Sequence, residues 1–505
     1  MNLTSQQFFH YQTIAELAAD LSITQTTQAE QGLETKELHL TPIQHWFLGH
    51  QPDPHHCNRS LLLEIQQVCD ANLLEQALQH LIEHHDVFRL RFIQKESGWQ
   101  QIYTNSHDTI ELKRVDLSPL PEIERKLTIE SVAAELEASL NIFEGPLLRF
   151  AFFNLGSEQT SYLLIIIHDL VVDGISWRIL LEDLQTAYQQ ICQDKAVHLQ
   201  DTTTSYIEWT QFLQEYAQSS DMMREQDYWL QEMQKSFSLP VDYSTGDNTA
   251  ANSDIVSVHL NKKETKALVE EIHGTYNTKI EDVLLTALVQ AFGKWTGEHK
   301  LRLDIKGNVR EKTFKDVNLS RTVGSFTAYF PVILDITKSS EPGDALIAVK
   351  EYLRSIPNSG MGYGIIHYLS SEQEIKSKLQ TLPQSEVNFN YLGQYDQMIS
   401  ESSLLCLPED SQGISYSTGA NRIYLLDING IVVQEQLQLH WKYNQAIHRR
   451  ETIENLADSF IEELRSLIIH TQSVEAERYT PSDFSRAKLN QQQLDNLLMK
   501  INQKN

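Results

Sequence analysis

From Leu40 onward the chain alternates two hydrophobic rhythms, stripes at helical spacing and short runs that are apolar on both faces. Leu74, Ala77, Leu78 and Leu81 share one stripe and predict a helix over 72–83, followed by strands at 89–94 and 100–103. The run YLLIIIH at 162–168 reads as an interior strand, with a helix beginning near Ser176. After the turn-rich stretch 241–253 the alternation repeats. Helices are expected at 263–276 and 281–295, strands at 301–305, 330–334, 423–426 and 436–443, and a closing amphipathic helix at 453–470.

Two flanking segments differ. Phe8, Ile14, Leu17 and Leu21 mark a first helix with no core of its own, and the Thr/Gln/Glu-rich stretch after it reads as a linker. Beyond 480 the chain reads as an extended arm and a short helix leading out of the domain. The expected organisation is therefore 1–22 a separate terminal helix, 23–37 linker, 38–240 a first lobe, 241–480 a second lobe, and 481–505 an arm.

A chain of 505 residues, 41% hydrophobic, exceeds the size at which one core stops growing, which agrees with two lobes and a cleft between them. The formal charge of −27 opposes binding to a phosphate backbone, so nucleic acid is not an expected partner. The longest apolar run is too short to span a bilayer, and no signal-peptide pattern opens the chain, so no membrane association is expected. Cys57, Cys69, Cys192 and Cys406 are scattered, which suggests neither disulfides nor a zinc site and fits a reducing cytoplasm. His55, His56 and Cys57 read as an exposed loop after Pro54.

HDLVVDGISWRIL at 168–180 resembles the HHxxxDG signature of condensation-type domains in nonribosomal peptide synthetases, with Ser176 and Trp177 in the form of the epimerization branch. TPIQHWF (41–47), HHDVFRLRF (84–92), EDVLLTAL (281–288), RTVGSFTAYFP (321–331), GMGYG (360–364) and FNYLGQ (389–394) follow in the order of that branch. The resemblance implies an α/β fold of two chloramphenicol-acetyltransferase-like lobes forming a V around a central cleft or tunnel. The first segment then looks like the last helix of a peptidyl carrier domain. Its phosphopantetheine-bearing serine would lie upstream, so the chain is expected to be a piece of a larger synthetase or a domain that has lost its carrier.

The implied reaction removes and returns the α-proton of an aminoacyl or peptidyl thioester, which needs proton-transfer groups on opposite faces of the α-carbon. The substrate is presented on the 4′-phosphopantetheine of an upstream carrier domain. The domain itself binds no cofactor or metal, and it is expected to be monomeric within a synthetase, with a condensation domain downstream. By resemblance the acid/base roles belong to the second histidine of HHxxxDG and the first glutamate of EGHGRE. Here those positions hold Asp169 and Lys306, with Asn308 and Val309 replacing His and Gly of the second motif.

His168, Asp173 and Gly174 survive as scaffold, with Arg89 the expected partner of Asp173. His168 is not a substitute catalyst, because neighbouring strand side chains point to opposite faces. Tyr391 and Asn390 match cleft-lining positions, and the Tyr391 hydroxyl is a candidate for orienting the thioester or donating a proton. Ser325, Asn308, Ser176 and Trp177 complete the expected cleft, with Ser325 standing where the family pattern has tryptophan and so enlarging or wetting the pocket nearby. The glycines of GMGYG suit close backbone packing rather than phosphate binding. Three readings follow: a silent epimerization-type domain kept as a carrier-docking spacer, a domain in which Asp169 and Lys306 work on the thioester as a new acid/base pair, and a condensation domain, which the branch-specific motifs disfavour.

Overall fold

The computed structural model describes residues 36–502, apart from 52, 105–108, 110, 157–159, 233–236, 250–251, 273–275, 312–313, 315–316, 395–403, 409–414, 417–421, 474–478 and 488. The expected terminal helix at 1–22 and nearly all of the linker lie outside the described residues.

The first half runs β1 (Lys36–Leu38), α1 (Pro42–His50), β2 (Asn58–Ile65), α2 (Ala71–His84), β3 (Leu90–Lys95), β4 (Gly98–Tyr103), β5 (Leu112–Asp116), α3 (Glu122–Ala138), β6 (Leu148–Asn154), β7 (Ser161–His168), α4 (Gly174–Cys192), α5 (Tyr206–Tyr216) and α6 (Ser220–Glu232). Capping residues set where several helices begin: Asp70 accepts the Asn72 amide at 2.8 Å to start α2, and Asp173 accepts the Ser176 amide at 2.7 Å to start α4. Strand β7 is buried over its last six residues because sheet neighbours flank it and helices cover it.

The second half runs β8 (Ser253–His259), α7 (Ile280–Thr296), β9 (Lys300–Asn308), β10 (Thr327–Asp335), α8 (Pro342–Ser355), β11 (Val387–Gln394), β12 (Leu405–Cys406), β13 (Ser415–Tyr416), β14 (Leu426–Val433), β15 (Gln436–Asn444), α9 (Arg450–Ser473) and α10 (Gln491–Asn502). Its sheet has the order β10-β9-β11-β14-β15-β8, and the other large sheet has β12-β2-β7-β6-β5 with β13 also on β2. Strands β12 and β13 therefore cross back and extend the first lobe's sheet. A three-stranded sheet β1-β4-β3 completes the set.

Each lobe has its own core. One gathers around Phe88, Phe92, Ile165 and Trp177, the other around Leu285, Phe292, Trp441 and Phe460. The strand expected at 423–426 is displaced to Leu426–Val433, because the carbonyls of Tyr424 and Leu425 are taken by the Arg422 guanidinium instead of a ladder. The helix expected at 263–276 begins at Lys262 and widens at Ala267–Glu271. The arm is docked where it begins: the Lys350 ammonium, fully buried, meets the Asp483 carboxylate at 2.7 Å.

In GMGYG, Gly360 has φ +81°, and a Cβ on Gly362 would fall 1.5 Å from a Glu225 carboxylate oxygen. Both positions are glycine because neighbouring atoms occupy the space a side chain needs.

Candidate functional site

Strand β9 reads LRLDIKGN from Leu301, and its alternation decides where the chemistry lies. Leu301 and Leu303 enter the second core, which leaves Arg302, Asp304, Lys306 and Asn308 on the other face of the sheet. The neighbouring strands add Asn388 and Asn390 from β11 and Asp427 and Asn429 from β14. Asn388 donates to Asp427 at 2.7 Å, and Asn390 donates to Asn429 at 3.1 Å. The result is a polar sheet face turned toward the first lobe.

Asp169 follows β7 and opens a short turn. One of its carboxylate oxygens lies 2.5 Å from Nε of Arg59 on β2. Arg59 stands opposite Ile167 in the antiparallel ladder, so parity puts Arg59, Ile167 and Asp169 on one face. His168 points the other way. It is wholly buried, its Nε2–H donates to the Pro54 carbonyl at 2.6 Å, and its Nδ1 accepts the Leu170 amide at 3.2 Å. Burial pushes its pKa down to about 4, so the imidazole is neutral and serves as a strut.

Lys306 comes within the electrostatic reach of both members of that pair. Its pKa is pushed down to about 8, first by burial and then by the Arg59 charge, against the opposing pull of Asp169 and Asp427. Its ammonium also lies 4.9 Å from the centre of the Tyr329 ring, its cross-strand neighbour. Asp169 and Lys306 thus lie within electrostatic reach of one another, with Arg59 acting on both. For Lys306, loss of water outweighs the pull of the nearby carboxylates.

Four other expectations are corrected. The partner of Asp173 is Arg310, not Arg89. Arg310 reaches the Asp173 carboxylate through Nε at 2.9 Å and Nη2 at 3.1 Å, whereas Arg89 lies over the Tyr103 ring. Ser176 is buried in the same joint, its hydroxyl contacting Asp173, Arg310 and the Gly324 backbone, so it joins the lobes rather than lining a cleft. Trp177 is wholly buried in the first core rather than lining a cleft. Tyr391 pairs with Gly430 and packs against the second core, with Glu281 of α7 the charge nearest it, because it is one residue out of phase with Asn390. Burial raises its phenol, which stays protonated on the side away from Lys306.

The remaining residues hold the frame. Asn308 accepts the Arg310 amide at 3.0 Å and so shapes the turn that aims Arg310 at Asp173. Gly174 opens α4 with nothing within 4 Å of where a Cβ would stand. Ser325 is buried and borders a cavity of about 180 Å³. Cys57, expected in an exposed loop, is buried beside Asp169, and its thiol is pushed up to about 12 by burial and by that charge.

Sequence reasoning missed Arg59, Arg310 and Asp427. Arg310 lies inside KGNVRE, the stretch already aligned, so its signal was present. One group of metal-ligating side chains gathers among the described residues, His84, His85 and Asp183. There Asp183 already pairs with His85 at 3.0 Å and with Arg321.

Comparison with known proteins places these features in a family. A Condensation domain model matches residues 34–490. A linear gramicidin synthase from Brevibacillus parabrevis is 43% identical across 99% of this chain, and surfactin synthase subunit 1 of Bacillus subtilis is 34% identical across 98%. The chain spans 6% and 14% of those relatives' lengths, and 46% of gramicidin S synthase 1 of Brevibacillus brevis. Among solved structures, the epimerization domain from the third module of tyrocidine synthetase B superposes with a TM-score of 0.79 at 32% identity, covering 89% of this chain and 99% of that one. A starter condensation domain of rhizomide synthetase shares the fold at 15% identity, with a TM-score of 0.66 and coverage of 87% and 98%.

Proposed function

Because this chain belongs to the condensation-domain family of nonribosomal peptide synthetases, we propose that it is an epimerization-type domain that receives a carrier-tethered aminoacyl or peptidyl thioester and leaves its α-carbon unchanged. The phosphopantetheine arm belongs to a carrier domain upstream, whose C-terminal segment is residues 1–22. Residues 23–37 then serve as linker, 38–240 and 241–480 as the lobes, and 481–505 as the arm toward a downstream condensation domain in a cytoplasmic synthetase. The domain's role is to dock the loaded carrier and pass it on.

The observation that carries this reading is the Arg59–Asp169 pair at 2.5 Å. Epimerization needs one group to take the α-proton and another to return one from the opposite face. Asp169 has one carboxylate oxygen committed to the Arg59 guanidinium. Lys306, pushed down to about 8, is still mostly ammonium at pH 7, so in most molecules the group that would take the α-proton already carries one. Losing one positioned acid/base group typically costs about 10² to 10⁴ in rate, and here both positions have changed.

The test is deuterium exchange from solvent into the α-position of a residue loaded on the cognate carrier. No exchange is expected from the unaltered chain, and exchange is expected to appear in Asp169→His with Lys306→Glu. A second reading is favoured by the same lysine, whose lowered pKa makes a neutral amine accessible. In that case the unaltered chain exchanges, the rate climbs as pH rises through about 8, and Lys306→Ala abolishes it.

A further inference from the structure

The cavity beside Ser325 has no part in the proton chemistry above, yet it shares a wall with it. The Tyr329 ring carries Lys306 at 4.9 Å and also borders the cavity. Trp46 of α1 stacks on Tyr329 with ring centres 4.1 Å apart and planes 17° from parallel, while Tyr363 and Tyr424 supply further aromatic wall. At about 180 Å³ the space exceeds the roughly 150 Å³ of an engineered cavity that takes up benzene. One ring system fits that space.

Its polar groups define the ring. Arg302 and Asp304 stand two residues apart on the same face of β9, and both border the cavity. Burial holds the Asp304 carboxyl above and the Arg302 guanidinium below their ordinary values, so the site already disfavours desolvated charge. A neutral group enters without that cost. The Asp304 carboxyl takes the Tyr424 hydroxyl at 2.8 Å and retains acceptor capacity for a second donor.

We propose that this cavity is the side-chain pocket for the residue carried on the thioester, and that it selects a neutral aromatic ring bearing one hydrogen-bond donor, the indole of tryptophan or the phenol of tyrosine. The assignment of its occupant rests on the carrier-tethered reading above, and the experiment separates the two. Indole, p-cresol and toluene are titrated into the full chain by calorimetry, together with stable pantetheine amides of tryptophan and alanine.

Indole and p-cresol are expected to bind up to about tenfold tighter than toluene, the worth of one hydrogen bond to an uncharged acceptor. Asp304→Leu removes the acceptor and narrows that gap, and Ser325→Trp fills the space and abolishes binding of all three rings, with folding of each variant checked by its thermal transition. The tryptophan amide is expected to bind roughly 10- to 100-fold tighter than the alanine amide, the worth of burying an aromatic side chain. Failure of indole to bind the unaltered chain overturns the pocket. Binding of indole with no binding of either amide overturns the carrier-tethered occupant while leaving an aromatic site. Equal binding of the two amides overturns the selection.

Discussion

Nε of Arg59 lies 2.5 Å from a carboxylate oxygen of Asp169, so Asp169 is ion-paired within its own lobe. Arg59 also acts on Lys306, depressing it in concert with burial. The arginine is therefore the residue through which both Asp169 and Lys306 can be tested.

Arg59→Ala removes a positive charge beside Lys306 and leaves Asp169 unpaired. The Lys306 ammonium then gains stability, and its titration midpoint moves upward from about 8. The measurement is the pH dependence of the lysine side-chain NMR resonance, assigned by comparison with Lys306→Met. A midpoint that stays in place or falls excludes this coupling.

Arg310 is almost wholly buried and has Asp173 as its carboxylate partner across the joint between lobes. Asp173→Ala leaves a buried guanidinium uncompensated, which costs about 3–5 kcal/mol. Urea unfolding should report a loss of that order. The same change at Arg89, whose guanidinium lies on the Tyr103 ring, should not loosen the joint in limited proteolysis between the lobes.

His168 has its folded pKa lowered to about 4 from an unfolded value of 6.5. The unfolded chain therefore binds more protons between those values, so this residue's contribution to stability is present above pH 6.5 and declines as pH falls toward 4. His168→Gln should flatten that part of the stability profile measured by urea midpoints between pH 4 and 7. An unchanged profile would sink the assignment of His168 as a buried neutral strut.

Lys350 and Asp483 are both buried and tie the start of the C-terminal arm to α8. Lys350→Met alone leaves a buried carboxylate without its cation and should cost about 3–5 kcal/mol. Adding Asp483→Leu should restore much of the loss, because the uncompensated charge goes with it. Thermal unfolding of the three variants measures the coupling directly.

What the sequence determined by itself was whatever depends on period and local chemistry. The helix at Ala71–His84, the interior strand ending at His168, and the long helices Ile280–Thr296 and Arg450–Ser473 follow from stripes and apolar runs that any packed chain must bury. The ordered motifs sufficed to expect the lobed fold, and the parity of β7 sufficed to separate His168 from Asp169. The tertiary structure alone decided partnership. Nothing in the linear order says that Asp173 meets Arg310 across 137 positions, or that Arg59 meets Asp169 across 110. Those pairings depend on which strands become neighbours and how the lobes close. The protonation of Lys306 was likewise out of reach, because desolvation is a property of the surrounding packing, and it outweighs the charges that the sequence made visible. Tyr391 marks the boundary between the two kinds of knowledge: its motif was legible, but the face it occupies was fixed by the phase of β11 against a core formed from distant segments.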